Sequence, residues 1–423
     1  MNSYVGGSDQ FAPDEPEWQF LEKEEGSSAG QPRNAPEEQA NVPSREELAE
    51  NCKDLIGSGQ VLERYGEALR SSGKFAGSVA VVMVIVLAIV SRLLDKPVSL
   101  LIRGESSAGK SYAMKCATEL MAPDSIYALT AMSEKALAYG QEDLSHRMMV
   151  LYEDDALGGG TITYLMRSLL SEGRIEYEFV DFENGRGTTK IEREGPTGLI
   201  TSTPGKVDYE LGTRMLSLNV DASPEATRAI LASAALIAEG GREDLDLSEF
   251  HEFDHWLRAG PSRVVIQFAS KIAQACDATA VRMRRDLTAV FGLVSAHALI
   301  HQAHRDRDEE GAVIATPDDY RAVYDLVADS IAQAAGATVP AGVRRLVEAM
   351  KERGGDHVPI PLSLVAEHLG LHRSTISRDA KAALTLGFIR PGVQTDSRKL
   401  FVLDDPLPED RSVLPSPESL DLD

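Results

Sequence analysis

The sequence predicts an α/β fold: a parallel sheet covered by helices, then a helical region, then a small helix–turn–helix module, with disordered acidic ends. Three observations carry this. Between 98 and 221 short apolar runs alternate with helix-length stretches, the grammar of parallel strands joined by helical crossovers. Between 222 and 336 the pattern turns to Ala-rich amphipathic segments. Between 337 and 403 an apolar helix, a glycine turn and a second, basic helix follow one another.

The first 45 residues are rich in Gly, Pro, Ser, Asn and acids, and cannot bury enough apolar surface to offset chain entropy. A disordered tail over 1–45 is therefore expected. Structure should begin near Ser44, where S-R-E-E-L reads as an N-cap followed by acids in a first helical turn. Helices then fill 46–97. The longest apolar run, 79–90, falls well short of the roughly 20 residues that span a bilayer, so a buried helix is expected, with no membrane partner. No basic-then-apolar leader opens the sequence.

Strands are expected at 99–103, 125–129, 148–152, 198–201 and 215–220. Helices are expected at 225–238, 263–276 and 282–304, and a Pro-rich acidic tail over 404–423 should be disordered. The three cysteines, Cys52, Cys116 and Cys276, stand apart, with no C-x-x-C and no histidine pair nearby. That excludes a zinc ribbon or a disulfide framework and points to a reducing, cytoplasmic setting. The net charge of −23 is concentrated at the ends: 1–50 holds 12 acids against 3 bases, and 404–423 holds 7 against 1. The segment 340–403 is locally basic, with 10 Lys/Arg against 6 Asp/Glu, and is compatible with a phosphate backbone.

The run L-I-R-G-E-S-S-A-G-K-S-Y leaves an expected strand and opens an expected helix. In that context G-x-x-x-x-G-K-S is a P-loop, a backbone cradle for the phosphates of ATP. Its residues are Gly104, Glu105, Ser106, Ser107, Ala108, Gly109, Lys110, Ser111 and Tyr112. The glycines let backbone N–H groups point at phosphate oxygens, and the helix N-terminus adds its positive dipole end. Lys110 would bridge the β- and γ-phosphates and Ser111 would hold Mg2+.

Such a loop needs acids at the end of another strand. The apolar run of H-R-M-M-V-L-Y-E-D-D ends in Glu153 and Asp154. By register Glu153 would coordinate Mg2+ through water and Asp154 would polarise the attacking water; the roles could shift by one, with Asp155 as a third candidate. Thr201 and Ser202 close another apolar strand, where a hydroxyl could orient water. Arg214, immediately before the last strand, could reach a neighbouring subunit's phosphates.

Taken together, G-E-S-S-A-G-K-S, V-L-Y-E-D, L-I-T-S-T and G-T-R resemble the AAA+ ATPases in order and spacing. The resemblance implies an αβα core over 98–221, a helical lid over 222–336, Mg-ATP, and a ring of subunits, a hexamer, with sites between neighbours. Before L-I-T-S-T stand two alternating segments around Asn184-Gly185, a hairpin signal. The hairpin looks like the pre-sensor-1 hairpin of the helicase-like AAA+ branch, which touches DNA in a central channel. Arg186 and Lys190 near its tip would be the contacts. R-D-L-T-A-V-F-G-L-V-S-A-H-A is similar to the lid of minichromosome-maintenance helicases, and by that match Arg285 falls at a sensor-2 position contacting the γ-phosphate. Arg282 and Arg284 are rivals. The block from Lys96, with A-M-S-E-K-A-L and L-L-S-E-G-R-I, also resembles the ATPase part of phage and mobile-element primase–helicases. No primase motif precedes it here.

In the C-terminal module the second helix begins near Arg373, and G-F-I followed by a Gly/Asp/Arg hairpin and L-F-V-L completes a winged helix over 337–403. Arg373, Ser374, Thr375, Ser377 and Arg378 would make groove contacts, with Lys381, Arg398 and Lys399 on phosphates. A winged helix used for protein contacts is the alternative. The functional expectation is an ATP-driven DNA helicase or translocase replicating a mobile element, phage or plasmid, acting on single-stranded or forked DNA and working with a primase or initiator. An ATP-regulated DNA-binding switch, or a helper ATPase that remodels a protein–DNA complex, are the alternatives.

Overall fold

The computed structural model describes residues 43–421 apart from 74, 76, 105, 134–135, 153–159, 182–186, 204–207, 222, 241–244, 277–281, 336–340, 355–357, 393–398 and 408–412. The chain enters through α1 (Arg45–Asn51), α2 (Lys53–Ser58) and α3 (Val61–Ser71). The expected N-cap is a full capping box: Ser44 Oγ accepts from Glu47 N–H at 3.2 Å, and Glu47 Oε2 accepts from Ser44 N–H at 2.7 Å. The apolar run becomes α4 (Val79–Val90), which is apolar all round because it is buried all round. No described helix is long and apolar enough to cross a membrane.

The αβα layer follows: β1 (Leu100–Arg103), α5 (Lys110–Glu119), β2 (Ile126–Leu129), α6 (Ala136–Tyr139), β3 (Arg147–Leu151), α7 (Thr161–Glu172), β4 (Arg174–Asp181), β5 (Gly187–Glu194), β6 (Thr197–Thr203), α8 (Tyr209–Gly212) and β7 (Leu216–Asn219). Five strands form one parallel sheet in the order β2-β3-β6-β1-β7. Strand alternation distributes side chains to two cores. Leu100, Ile102, Met148 and Val150 face the layer of α4 and α5, whereas Leu101, Met149 and Leu151 face α6 and α7. Both faces are buried, so these strands read as continuous apolar runs. β4 and β5 stand apart as an antiparallel hairpin, paired from Arg174↔Glu194 to Asp181↔Gly187.

The helical region contains α9 (Pro224–Ala238), α10 (Ser248–Arg258), β8 (Val264–Val265), α11 (Ala269–Ala275), α12 (Met283–Ile300), β9 (Val313–Ile314) and α13 (Pro317–Ala334). It is not helical throughout as expected: β8 and β9 pair in parallel, so the helix expected from 263 begins only at Ala269. The β-branched Val264, Val265, Val313 and Ile314 favour the extended pair. α12 and α13 pack on α4 and extend the core.

A buried ion pair ties the layers together. Arg92 Nη2 lies 2.6 Å from Asp254 Oδ1 on α10, both fully buried, and Asp254 Oδ2 accepts from Ser125 Oγ at 2.6 Å and from Ala122 N–H at 3.1 Å. Removing one partner of such a pair strands a charge, at a cost of about 3–5 kcal/mol.

The last module comprises α14 (Ala341–Gly354), β10 (Ile360–Pro361), α15 (Leu362–Leu369), α16 (Arg373–Thr385), β11 (Ile389–Pro391) and β12 (Leu400–Leu403). Its strands form an antiparallel sheet in the order β10-β12-β11 over a core of its own that includes Leu346, Met350, Val365, Ile376 and Ile389. Gly370, at φ +62°, ends α15 in the left-handed conformation and lets the chain turn into α16.

The end of the chain corrects the expectation of a wholly disordered acidic tail over 404–423. Val413 and Leu414 are buried in the main core, and Tyr320 Oη on α13 donates to the Pro415 carbonyl at 2.6 Å. Two apolar residues suffice because α13 presents the groove for them. Composition over a 20-residue window averages that signal away.

Candidate functional site

Strands β1, β3, β6 and β7 end on one edge of the sheet, since Arg103 is in register with Thr203 and Asn219, and Leu151 with Thr201. The order places β1 between β6 and β7: the crossover through α5 carries the chain from β1 to β2 at one end of the sheet, and the connection from β6 to β7 passes over β1, which leaves a crevice at the C-terminal end of β1. The glycine-rich loop lies in that crevice.

Ser107 and Gly109 adopt φ of +67° and +85°. These left-handed residues turn consecutive N–H groups inward as an anion nest, and α5 begins directly after them, with Gly109 as its N-cap. A Cβ on Gly109 would meet nothing within 4 Å, so its glycine serves backbone conformation alone. A Cβ on Gly104 would make ordinary contacts, 3.5 Å from Ala108 and 3.6 Å from Val220. Lys110 is buried, and its Nζ donates to the Gly104 carbonyl at 3.0 Å, which holds the ammonium across the loop. Ser106, Ser111 and Tyr112 are exposed and Ala108 half-buried; Glu105 lies outside the described residues.

The chain leaves β3 on this same edge. Ser202 Oγ donates to the Tyr152 carbonyl at 2.5 Å and pins the strand end, whereas Glu153, Asp154 and Asp155 lie outside the described residues. Thr201 is not at a strand end as expected. β6 runs on to Thr203, and Thr201 sits between Leu101 and Leu151, fully buried, its Oγ1 without a hydrogen-bond partner among the described residues. Thr203, buried at the end of β6, was not singled out by sequence.

Both arginines assigned to phosphate lie at the opposite edge. Arg214 precedes β7; its Nε donates to Ser171 Oγ at 2.7 Å and its Nη1 to the Glu210 carbonyl at 2.6 Å. Arg285, exposed in the first turn of α12, approaches the Thr213 carbonyl at 3.4 Å. With Lys96 they line a cleft of about 310 Å3 at the N-terminal ends of β1 and β6. Arg285 therefore does not meet the P-loop of its own chain, because α12 starts beneath β7. Its rival Arg282 is engaged elsewhere, bonding Asp286 at 2.9 Å, the Met215 carbonyl at 3.1 Å and Ser217 Oγ at 3.2 Å. Burial pushes the Asp286 carboxyl up, and Arg282 opposes that shift. Arg284 is exposed.

The hairpin is present, but Arg186 and the Asn184-Gly185 turn lie outside the described residues. Lys190 is not at the tip. It stands opposite Glu178 on the stem, 3.4 Å from Glu176 and bonded to Glu192. The Glu192 hydrogen bond leads the causes that raise its pKa.

On the C-terminal module the expected contacts divide between two faces of α16. Arg373, Ser377 and Lys381 recur every four residues and, with Lys399 and Ser363, line a groove of about 700 Å3 with no carboxylate in its lining among the described residues. Thr375 and Arg378 instead line a cleft of about 980 Å3 opposite Asp221, Asp325 and Asp329 of the core. Ser374 is taken up in the helix start, its Oγ 2.8 Å from His372 Nδ1. Arg398 lies outside the described residues.

Sequence reasoning missed an apolar chamber of about 420 Å3 beside the loop, lined by Phe75, Val81, Tyr112, Ile230 and Ile237 together with Ser107 and Gly109. Phe75 and Tyr112 lie nearly parallel, 13° apart with centroids separated by 6.1 Å. The chamber can hold a flat ring next to the phosphate cradle. Phe75 belongs to no motif, so only the fold reveals it.

Among known proteins, residues 49–248 match the family model described as the MTBMA_p00010 P-loop domain. This stretch contains α4, the parallel sheet and the nest at Ser107–Gly109, and the α/β fold with a P-loop domain is as expected. Solved structures that the chain matches include a full-length MCM homolog from Methanopyrus kandleri, at 13% identity over 68% of this chain, with a TM-score of 0.44. This chain spans 61% of that homolog's length. Others are the SCCmec type IV Cch active helicase (14% identity, 81% of this chain and 70% of that one, TM-score 0.35) and the Aeropyrum pernix ORC1 protein in complex with DNA (12%, 86% and 95%, TM-score 0.23). No curated protein matches the sequence.

Proposed function

We propose that the chain is an ATP-hydrolysing machine of the helicase-like AAA+ branch, acting on DNA as a ring of copies. The observation that carries this reading is the division of cations between two edges of one sheet. Lys110 stands at the nest, whereas Arg214 and Arg285 stand at the far edge, where the described residues form no phosphate cradle. Arginines placed there serve a nucleotide held by a neighbouring copy.

The residues fit Mg-ATP. The nest at Ser107–Gly109 and the N-terminus of α5 would receive the phosphates, and Lys110, whose Nζ donates to the Gly104 carbonyl, would supply a positive charge to them. Ser111, exposed in the first helical turn, would hold Mg2+, with Glu153 beside it through water. When bound, the metal would supply charge neutralisation at the phosphates. Asp154 would take a proton from the attacking water, and the Thr201 hydroxyl would orient that water. Phe75 and Tyr112 would stack on the base.

The C-terminal module reads as a winged helix presenting Arg373, Ser377, Lys381 and Lys399 to duplex DNA. The hairpin tip with Arg186 would contact a strand in the channel. A replication role in a mobile element, phage or plasmid, a cytoplasmic setting, a hexameric ring and a primase or initiator as partner complete the reading. The ion-paired state of Lys190 favours a second reading, an ATP-regulated DNA-binding switch, because an acidic stem is a poor strand tracker.

ATP turnover with and without single-stranded DNA, paired with strand displacement, separates the two. DNA-stimulated turnover with unwinding is expected of the machine. Duplex binding that changes with nucleotide, without unwinding, is expected of the switch. Turnover that persists in Lys110→Ala would overturn both.

A further inference from the structure

The end of the chain joins two cores. The last module packs on a core of its own, apart from the one that α4, α12 and α13 share with the sheet. After β12, Leu407 still packs against the core of the module, and six residues later Val413 is buried in the main core. Six residues span at most about 20 Å, which limits how far the module can stand from the α13 groove while both ends are seated.

The seated end is fastened by named contacts. Val413, Leu414 and Pro417 are buried, and Leu420 is half-buried against the main core. Tyr320 Oη on α13 donates to the Pro415 carbonyl at 2.6 Å, and Lys271 Nζ on α11 donates to the Asp421 carbonyl. Between them Pro417–Ser419 forms one 3-10 turn closed on itself: Ser416 Oγ accepts from Ser419 N–H at 3.3 Å, and Ser419 Oγ donates to the Ser416 carbonyl at 2.6 Å. A turn that holds its own shape lowers the entropy lost on docking. The apolar anchor is a few aliphatic side chains set against the ordering of the segment, so release needs no unfolding of the core.

What the fastening sets is the direction in which α16 faces. The flank with Thr375 and Arg378 lines the cleft of about 980 Å3, with Arg345 of α14 on the same wall. Asp221, Asp325 and Asp329 line the opposite wall. Arg228 and Asp379 place one charge of the other sign on each wall, which leaves the core side acidic and the module side basic among the described residues. A cavity of this size suits a small molecule, so a duplex cannot enter it, and the acids repel a phosphate backbone. The other attachment of the module is the connection 335–340 after α13. Two attachments fix the orientation of a body, whereas one lets it turn.

We propose that Val413–Leu420 is a releasable strap. Docked on α13, it holds the last module with the Thr375–Arg378 flank of α16 turned into the acidic cleft; released, it lets the module turn on the 335–340 connection and present that flank. The consequence for DNA rests on the winged-helix reading above. A duplex meets only the Arg373–Lys381 groove while the strap is docked, and gains Arg345 and Arg378 once it is released.

The test uses the full chain carrying Thr375→Cys, treated with a bulky polyethylene glycol maleimide. Labelling is read as loss of the unmodified peptide around residue 375, which separates it from Cys52, Cys116 and Cys276. Leu414→Asp removes the anchor, and Val413→Ser/Leu414→Ser replaces it should that chain fail to fold by far-UV circular dichroism. Strap release should speed labelling at 375 at least about fivefold, and leave a Ser377→Cys chain, labelled on the groove side of the helix, within about twofold. An unchanged rate at 375 in a folded variant overturns the strap. An equal rise at both positions also overturns it, because the module itself would then have loosened. Duplex affinity at several salt concentrations tests the DNA arm separately: its slope should steepen by about 1 to 2 on release and return when Arg345→Ala/Arg378→Ala is added. Faster labelling at 375 with an unchanged slope upholds the strap and defeats duplex binding by that flank instead.

Discussion

Arg214 Nε donates to Ser171 Oγ across 2.7 Å, which fixes the guanidinium at the edge of the sheet opposite Lys110. A hydroxyl partner orients the fork without neutralising it, so the charge stays available to an incoming phosphate. Arg214→Ala should leave mant-ADP binding to the isolated chain unchanged and lower ATP turnover by on the order of 10^3. Mixing it with Glu153→Ala or Asp154→Ala chains should restore part of the turnover, since one interface then regains both an arginine and intact acids. A coupled assay on the mixture measures this. Absence of any rescue would refute action between copies.

Thr201 allows stability and function to be read separately. Its hydroxyl is fully buried with no partner among the described residues, a state that costs about 1–3 kcal/mol relative to an apolar group of the same shape. Thr201→Val should therefore hold or raise the urea midpoint while turnover falls roughly tenfold, the loss expected when water is less well oriented. Full turnover in a stabilised Thr201→Val protein would assign the hydroxyl no part in hydrolysis.

Sequence made the sheet and the loop legible for a local reason. Leu100–Arg103 is a short apolar run, and Gly109-Lys110 encodes its own backbone conformation, so neither depends on distant residues. What it did not disclose is set by topology. The resemblance of the lid puts Arg285 on the γ-phosphate, but which edge its helix starts on follows from the packing of α12 against α4 and from the Thr213 carbonyl beside Arg285. Lys190 read as a free base because its partner Glu176 lies across the strand pair and Glu192 on the same face two residues on. Phe75 meets Tyr112 only after α4 has returned the chain to the P-loop, and Val413 finds the α13 groove only after the C-terminal module has been built.

The split faces of α16 lead to a prediction about salt. If the groove of Arg373, Ser377, Lys381 and Lys399 receives the DNA backbone, each lysine or arginine on a phosphate contributes about 0.9 to the slope of log affinity against log salt. Arg373→Ala/Lys381→Ala should lower that slope by about 2 for duplex DNA of any sequence. Thr375→Ala should change it little, because Thr375 faces the cleft with Asp325 and Asp329. Fluorescence anisotropy at several salt concentrations gives both slopes. An unchanged slope in Arg373→Ala/Lys381→Ala would refute the placement of DNA in this groove.

The α12–α13 junction should make the fold acid-sensitive well above the carboxylate range. His301 is buried, and burial, with His297 and Arg305 nearby, lowers its pKa from 6.5 to about 4; its Nδ1 lies 2.9 Å from the His297 carbonyl. Between those values the unfolded chain binds a proton that the folded chain does not, so stability falls as pH falls through that window, by about 2 kcal/mol at pH 5. Asp319 acts in a different window. Its carboxyl is held well below the usual range, with burial opposing and His297 and Arg305 favouring the charged form, so its contribution stands at pH 5 and is lost only at lower pH. Oxygen Oδ1 takes His297 at 2.6 Å and Arg305 at 2.7 Å, and Oδ2 takes Arg305 at 3.0 Å and Thr316 N–H at 2.7 Å, which leaves this His–His–Asp cluster no free carboxylate lone pair for a metal. His301→Asn can keep the bond to the His297 carbonyl and removes the titrating group. Urea midpoints at pH 7 and pH 5 should therefore differ clearly for the parent and much less for His301→Asn, and an equal drop in both would assign the sensitivity to another group.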